Sequence, residues 1–337
     1  MTWTPILNTV DVHCAGEVGR VIVDAVEIPG NTLAEKLTHI NEVDDSLRRW
    51  LCSEPRSSAN QSFVLLQPAC HPDADFGMIV LQADQAHAMS GSNAMCAVTA
   101  ILESGMMKMT EPETIVTLDT AAGLVPAVAH CLAGKVTSVS LMMPPSFVAM
   151  SNASISTLKW GKITYDLCFG GVFYALVNVE QIGLTISPNN ARDLADKGVE
   201  LRDLIVSQTN IAHPDFPEIN GIAYVMFRSL DNDGAIRTCT TLKPARVDRS
   251  PCGTGSNSTV AVKHFQGSMR VGDKITTRSI IGGEFTAELL GAETIGPYNG
   301  SRVQVTGQCW IYAKSQIGQD PTDPYPSGFI LSDTWGG

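Results

Sequence analysis

Two periodicities of hydrophobic and polar positions run along the chain, and the same order of patterns occurs twice. In the first half, residues 21–26 are rich in β-branched side chains and predict a strand. Across residues 31–51, Leu33, Leu37, Ile40 and Leu47 fall at helical spacing. Residues 62–67 and 76–82 predict strands, and residues 90–105 predict a helix of small and apolar residues buried on most sides. Strand signals return at 114–118 and 136–142, before Pro144-Pro145 breaks the pattern. In the second half, residues 171–179 predict a strand, 189–206 a helix, 222–227 and 235–240 strands, and 252–267 a helix. Residues 279–312 are strand-like.

Strands and helices alternate, but many strand links are short, which favours an α+β (α/β) fold. The expectation is two similar domains, each a curved, mostly antiparallel sheet around a central helix. Residues 1–150 would form the first and 151–337 the second, with the active site in the cleft between them. The final segment, with several Pro and Gly, would return over the N-terminal domain. Residues 146–156 are the most polar stretch near the middle and are the linker candidate.

The repetition extends to the chemistry. Met89-Ser90-Gly91-Ser92-Asn93 and Asp248-Arg249-Ser250-Pro251-Cys252-Gly253-Thr254-Gly255 each place a small nucleophilic side chain before a glycine and a hydroxyl residue, at a helix start. Gly105 follows Ser90 by 15 residues, and Gly267 follows Cys252 by the same 15. The two sites are 162 residues apart, close to half the chain. A helix N-terminus presents unpaired N–H groups and the positive end of the helix dipole. Gly91, Ser92, Gly253 and Thr254 are therefore expected to hold one carboxylate from two sides. The same field lowers the pKa of a cysteine, so Cys252 is expected to carry some thiolate near neutral pH. Asp248 is a partner for a cationic amine. Together these groups suit an amino acid losing its α-proton. Taken singly, each run also reads as a tight turn or a capped helix start; their match favours chemistry.

Composition narrows the classes. A 337-residue chain with 44% hydrophobic and 17% charged residues fits a globular protein with a large core. A net charge of −11 argues against nucleic acid and anionic membrane surfaces as partners. No apolar run approaches a membrane span, and the segment Met1-Thr2-Trp3-Thr4-Pro5 has no signal-peptide character. Nine scattered cysteines without a Cys-x-x-Cys pair argue against zinc and point to a reducing, cytoplasmic setting.

The second motif, residues 248–255, is identical to that of the proline racemase family, and Met89-Ser90-Gly91-Ser92 is similar to its first motif, usually Met-Cys-Gly-His. Further matches are Asp11-Val12-His13-Cys14-Ala15-Gly16-Glu17, Glu54-Pro55-Arg56, Ala74-Asp75-Phe76-Gly77, Phe169-Gly170-Gly171 and His213-Pro214-Asp215. The resemblance covers most of the chain. It implies two domains of the diaminopimelate-epimerase type, a small amino-acid substrate such as hydroxyproline, no cofactor and no metal, and a monomer or homodimer. It places Ser90 and Cys252 as the acid–base residues, Gly91, Ser92, Gly253 and Thr254 as substrate-holding residues, and Asp248 at the ring amine. His13 is expected to be structural and His213 a loop residue.

Serine at 90 departs from the usual cysteine, and Ser92 from the usual histidine. A serine hydroxyl is a poor base at neutral pH unless a neighbour activates it, and the nearest histidine in sequence is His87. Dehydration of trans-3-hydroxy-L-proline asks less. Its α-hydrogen and 3-hydroxyl share one ring face, so Cys252 alone can take the proton and return it to the leaving hydroxide. The enamine formed tautomerises to Δ1-pyrroline-2-carboxylate. Family members with the serine–cysteine pair also suggest this activity. The expectation is therefore a trans-3-hydroxy-L-proline dehydratase, with 4-hydroxyproline 2-epimerase, alone or in addition, as the alternative. A non-catalytic amino-acid binder needs no thiol, and a cysteine hydrolase needs a histidine at Cys252.

Overall fold

The structure is a computed structural model and describes residues 6–217, 219–242 and 245–332. It divides the chain into one unit of Met1–Leu141 with Gly307–Gly337 and a second of Met142–Thr306. The first unit begins with β1 (Leu7–Cys14), β2 (Glu17–Ile22), β3 (Gln61–Gln67), β4 (Phe76–Leu81), β5 (Ala86–His87), β6 (Glu113–Thr120), β7 (Gly123–Leu132) and β8 (Lys135–Met142). The second holds β9 (Ser146–Thr157), β10 (Gly161–Phe169), β11 (Phe173–Asn178), β12 (Ile222–Leu230), β13 (Ile236–Leu242), β14 (Arg246–Val247), β15 (Lys274–Arg278), β16 (Glu284–Ile295) and β17 (Tyr298–Gly307). The chain then adds β18 (Cys309–Ile317) to the first unit. The helices are α1 (Leu33–Thr38), α2 (Ser46–Cys52), α3 (Gly91–Glu103), α4 (Ala191–Val206) and α5 (Gly253–Phe265).

The two units repeat one pattern of strand pairing. In the first, β18 pairs antiparallel with β1 and β1 with β2; β2 and β3 are parallel, β3 and β4 antiparallel, β4 and β6 parallel, and β6–β7–β8 antiparallel. In the second, β9–β10–β11 are antiparallel, β11 and β12 parallel, β12 and β13 antiparallel, β13 and β15 parallel, and β15–β16–β17 antiparallel. β17 also meets β9 at Gly300↔Phe147, so this second ladder closes on itself. The α+β class and the two similar units of the sequence reading are those of the structure.

One central helix fills each unit. Every residue of α3 from Gly91 to Leu102 is buried, which its run of Gly, Ala, Ser and Cys side chains permits. β2 approaches α3 at Gly19, where a Cβ would lie 2.8 Å from Asn93 Oδ1 and 3.1 Å from Cys96 Cβ. In the second unit, Gly170 lies against α5, and a Cβ there would be 2.3 Å from the Thr254 carbonyl oxygen. α4 turns Leu194, Leu201 and Ile205 into a core that includes Phe147, Phe169, Phe173 and Phe227. Among the described residues no helix is long and apolar enough to cross a membrane.

Three segments differ from the sequence reading. Residues 31–51 form no single helix. After α1 comes a π-turn, His39–Val43, and the chain reorients before α2. Asn41 bonds the backbone of Ala86 through both amide atoms, at 2.9 and 3.0 Å, and Asp44 accepts from the Ser46 N–H at 3.0 Å. These polar side chains compete with the helix ladder. The strand predicted at 21–26 runs instead from Glu17 to Ile22, and Asp24 takes a hydrogen bond from the Asn8 side chain at 3.1 Å. The linker candidate at 146–156 is β9, paired with β10 from Phe147↔Phe169 to Thr157↔Gly161. Residue 150 lies inside this strand, where a boundary would cut the ladder, and the second unit starts at Met142. Ser151, Asn152, Ser154 and Ser156 sit at the more exposed positions of β9, which gives the stretch its polar pattern, whereas Ser146 is buried.

Candidate active site

Ser90 is the N-cap of α3, in extended backbone with φ −147° and ψ 125°. The first helical bond runs from the Ala94 N–H to the Ser90 carbonyl at 2.9 Å, so the N–H groups of Gly91 and Ser92 stand outside the helix ladder. Ser90 Oγ does not cap the helix. It accepts from Asn93 Nδ2 at 2.9 Å and lies 3.5 Å from Ser92 Oγ. The Asn93 side chain is buried, and among the described residues its carbonyl oxygen has no partner. His87 is paired with Asp84, Nε2 to Oδ1 at 3.2 Å.

Cys252 is the N-cap of α5 and has φ +69°, ψ 109°. A non-glycine residue in that region stores on the order of 1–3 kcal/mol of strain and persists only where its surroundings hold it. Here they do. The Ser250 N–H and hydroxyl both donate to Asp248 Oδ1, at 2.8 and 2.9 Å, and the Cys252 N–H donates to Ser250 Oγ at 3.1 Å. Thr238 Oγ1 donates to the Pro251 carbonyl at 3.0 Å, and the Ser256 N–H donates to the Cys252 carbonyl at 2.8 Å. Residues 248–252 thus fold around one buried carboxylate.

The sulfur is buried among hydroxyls. Tyr174 Oη lies 3.2 Å from Cys252 Sγ, Thr254 Oγ1 lies 3.7 Å from it, and the two hydroxyls are 2.6 Å apart. Burial pushes the Cys252 thiol up, and the Asp248 charge adds to this; hydrogen bonding from Tyr174 and the Gly255 N–H opposes it. The net direction is upward, against the expectation of a ready thiolate. The helix terminus does supply a favourable N–H, but desolvation outweighs it.

The structure gathers Asp248, Cys252, Gly253 and Thr254 in one turn of the second unit, and Ser90, Gly91 and Ser92 in one turn of the first. Sequence reasoning missed Tyr174, which lies against Cys252 Sγ, Ser250, which accepts from the Cys252 N–H, and Asn93, which donates to Ser90 Oγ. Tyr174 follows Phe169-Gly170-Gly171 on a buried strand, a signal that marks a packed aromatic and nothing more. His213 is a loop residue, as expected, and it is buried against the rings of Phe147 and Phe169, at centroid distances of 5.4 and 4.7 Å. His13 accepts from the Gly16 N–H at 3.2 Å and stacks on Trp310, a structural place.

The proline racemase family profile matches residues 9–330. The 4-hydroxyproline 2-epimerase 1 of Rhizobium rhizogenes (strain K84) is 50% identical over all of this chain and 98% of its own length. The 4-hydroxyproline 2-epimerase of Rhizobium etli is 49% identical over the same shares. A crystal structure of a hydroxyproline epimerase from Agrobacterium vitis with bound trans-4-hydroxy-L-proline superposes with a TM-score of 0.93, at 49% identity, covering 100% of this chain and 98% of that one. These relatives overturn the expectation that dehydration of trans-3-hydroxy-L-proline comes first. That expectation rested on a serine with no helper, and Asn93 stands at hydrogen-bond distance from Ser90.

Proposed function

The chain belongs to the proline racemase family, and we propose that it is a 4-hydroxyproline 2-epimerase whose two proton-transfer groups are Ser90 and Cys252. The observation that carries this is the repeated placement of the pair. Each is the N-cap of the central helix of its unit, and each is followed by a buried glycine.

In this reading Gly91, Ser92, Gly253 and Thr254 are the residues that hold the substrate carboxylate, each pair through the free N–H groups of its own helix start. Asp248 faces the ring nitrogen. Fixed N–H groups on the carboxylate favour the carbanion that forms when the α-proton leaves. One of Ser90 and Cys252 takes that proton, and the other delivers one to the opposite face of C2, which inverts the centre. The steps need only protein groups. The buried Cys252 is protonated at rest and so starts as the donor in one direction. In that direction Ser90 starts as the base, and the Asn93 amide stabilises the charge on its oxygen.

Proton NMR in D₂O with trans-4-hydroxy-L-proline tests the reading. The C2 epimer should form with deuterium at the α-carbon, and S90A and C252A should each abolish epimer formation. A substrate that stays unepimerised and undeuterated would sink the proposal.

A further inference from the structure

We propose that Tyr174 is a positioning residue for Cys252: it fixes the direction of Sγ and donates a hydrogen bond to it whenever the sulfur is a thiolate. The proposal rests on the reading of Cys252 as a proton-transfer group and extends it to a residue 78 positions away in the chain.

The geometry sets the direction of the bonds. Among the described residues, Tyr174 Oη has two hydrogen-bonding neighbours, Thr254 Oγ1 at 2.6 Å and Cys252 Sγ at 3.2 Å. It carries one proton. If Thr254 donates to Tyr174, the phenol proton is left to point at the sulfur. The reverse order would route the final bond from Thr254 to Sγ across 3.7 Å, the longer contact. The chain therefore runs from Thr254 through Tyr174 to Cys252.

Packing makes the donor rigid. Tyr174 is 1% exposed and sits with Cys168, Leu176, Met226 and Cys252 in one cluster. Its ring lies 5.6 Å from that of Tyr224 on the neighbouring strand. Among the described residues, three titratable groups bear on this sulfur and its donor. They are Asp248 on the turn before α5, Tyr174 on β11 and, against Tyr174, Tyr224 on β12. Asp248 disfavours the thiolate, and the Tyr174 hydrogen bond favours it. Burial holds the Tyr174 hydroxyl well above its ordinary range, so it stays protonated and remains a donor. The arrangement resolves a conflict in the site. A buried sulfur beside a carboxylate resists ionising, yet proton transfer requires it to ionise and recover in each cycle.

The test is Tyr174→Phe, which keeps the ring and removes the hydroxyl. The pH dependence of Cys252 carboxamidomethylation by iodoacetamide, read on the Cys252 peptide by mass spectrometry, should move to higher pH. The kcat for epimerisation should fall about tenfold with KM changed by no more than about twofold. An alkylation profile that does not move, whatever happens to kcat, overturns the proposal, because a purely structural ring leaves the thiol equilibrium unchanged. If Y174F does not fold, wild-type protein labelled with [¹³Cζ]tyrosine decides. One of the six tyrosine resonances should titrate together with Cys252 and cease to do so in C252A. Six resonances that ignore the titration of Cys252 overturn the proposal. Alkylation requires no substrate, so a protein that failed to epimerise 4-hydroxyproline would refute the proposed function and leave this result to stand or fall by itself.

Discussion

Asn93 donates its side-chain amide to Ser90 Oγ across 2.9 Å, three residues further along the chain at the start of α3. A donor there leaves the Ser90 proton free to be given away and stabilises the oxygen once it has gone. N93A should therefore lower kcat about tenfold or more while KM stays nearly constant. Steady-state polarimetry checks it. An unchanged kcat would mean that Ser90 works without this neighbour.

Each proton-transfer group should be separable by isotope. In D₂O, S90A retains the thiol and should exchange the α-hydrogen of only one C2 epimer, without inverting it. C252A should exchange neither epimer, or only the other one, and more slowly, because the serine is the weaker base. Mass spectrometry of the recovered amino acids reads this directly. Exchange of both epimers by either variant would rule out one group per face.

The pH profile follows from the environment of Cys252. Burial first, and Asp248 second, raise its pKa above the ordinary thiol value. In the direction where Cys252 is the base, kcat/KM should climb with pH through that raised value. In the other direction, where the thiol is the acid, the same group should make kcat/KM fall over the same alkaline range. D248N removes the charge that disfavours the thiolate, so the limb should move to lower pH while KM rises from loss of the amine partner. A limb that stays in place in D248N would contradict the assigned cause.

Strain at Cys252 is testable apart from activity. With φ at +69°, glycine is favoured over any side chain at this position. C252G and C252A should both be inactive, yet C252G should be the more stable by about 1 kcal/mol or more. Denaturant midpoints at equal m-values compare them. Equal midpoints would show that the turn relaxes when the sulfur is removed.

Gly19 keeps room for Asn93. A methyl there would sit 2.8 Å from Asn93 Oδ1 and 3.1 Å from Cys96 Cβ, in a fully packed interface between β2 and α3. G19A should cost about 1–3 kcal/mol of stability and lower kcat by displacing the amide from Ser90. Thermal denaturation and turnover on the same sample test both halves.

Much of this was legible in the sequence. The two motifs stand out because a glycine and a hydroxyl residue after a small nucleophile mark a helix start, and because they recur at half the chain length. β3, β4, α3 and α5 were placed to within a few residues, since their periodicity is unmixed with competing polar side chains. The break between α1 and α2 was hidden because Asn41 and Asp44 make their bonds to partners that a helical wheel does not contain. Tyr174 was invisible for a related reason. Its role comes from strand pairing that carries a buried ring to a sulfur on a distant turn. The state of Cys252 was misjudged because the helix-start rule is local, whereas desolvation depends on everything packed around the sulfur. The dehydratase expectation was overturned by relatives named 4-hydroxyproline 2-epimerases, because the two helix-start motifs by themselves do not say which ring hydroxyl is handled.

β18 closes the first unit from the far end of the chain, with Cys309 opposite Cys14 and Ile317 opposite Leu7. During translation, therefore, β1 leaves the ribosome early and its outer edge stays bare until all of Met142–Thr306 has been made. The second unit is one continuous stretch and can complete its ladder in the meantime. The order of synthesis is thus the reverse of the order of completion: the unit that is begun first is finished last, and its open strand edge is the place where a nascent chain is most exposed to mispairing.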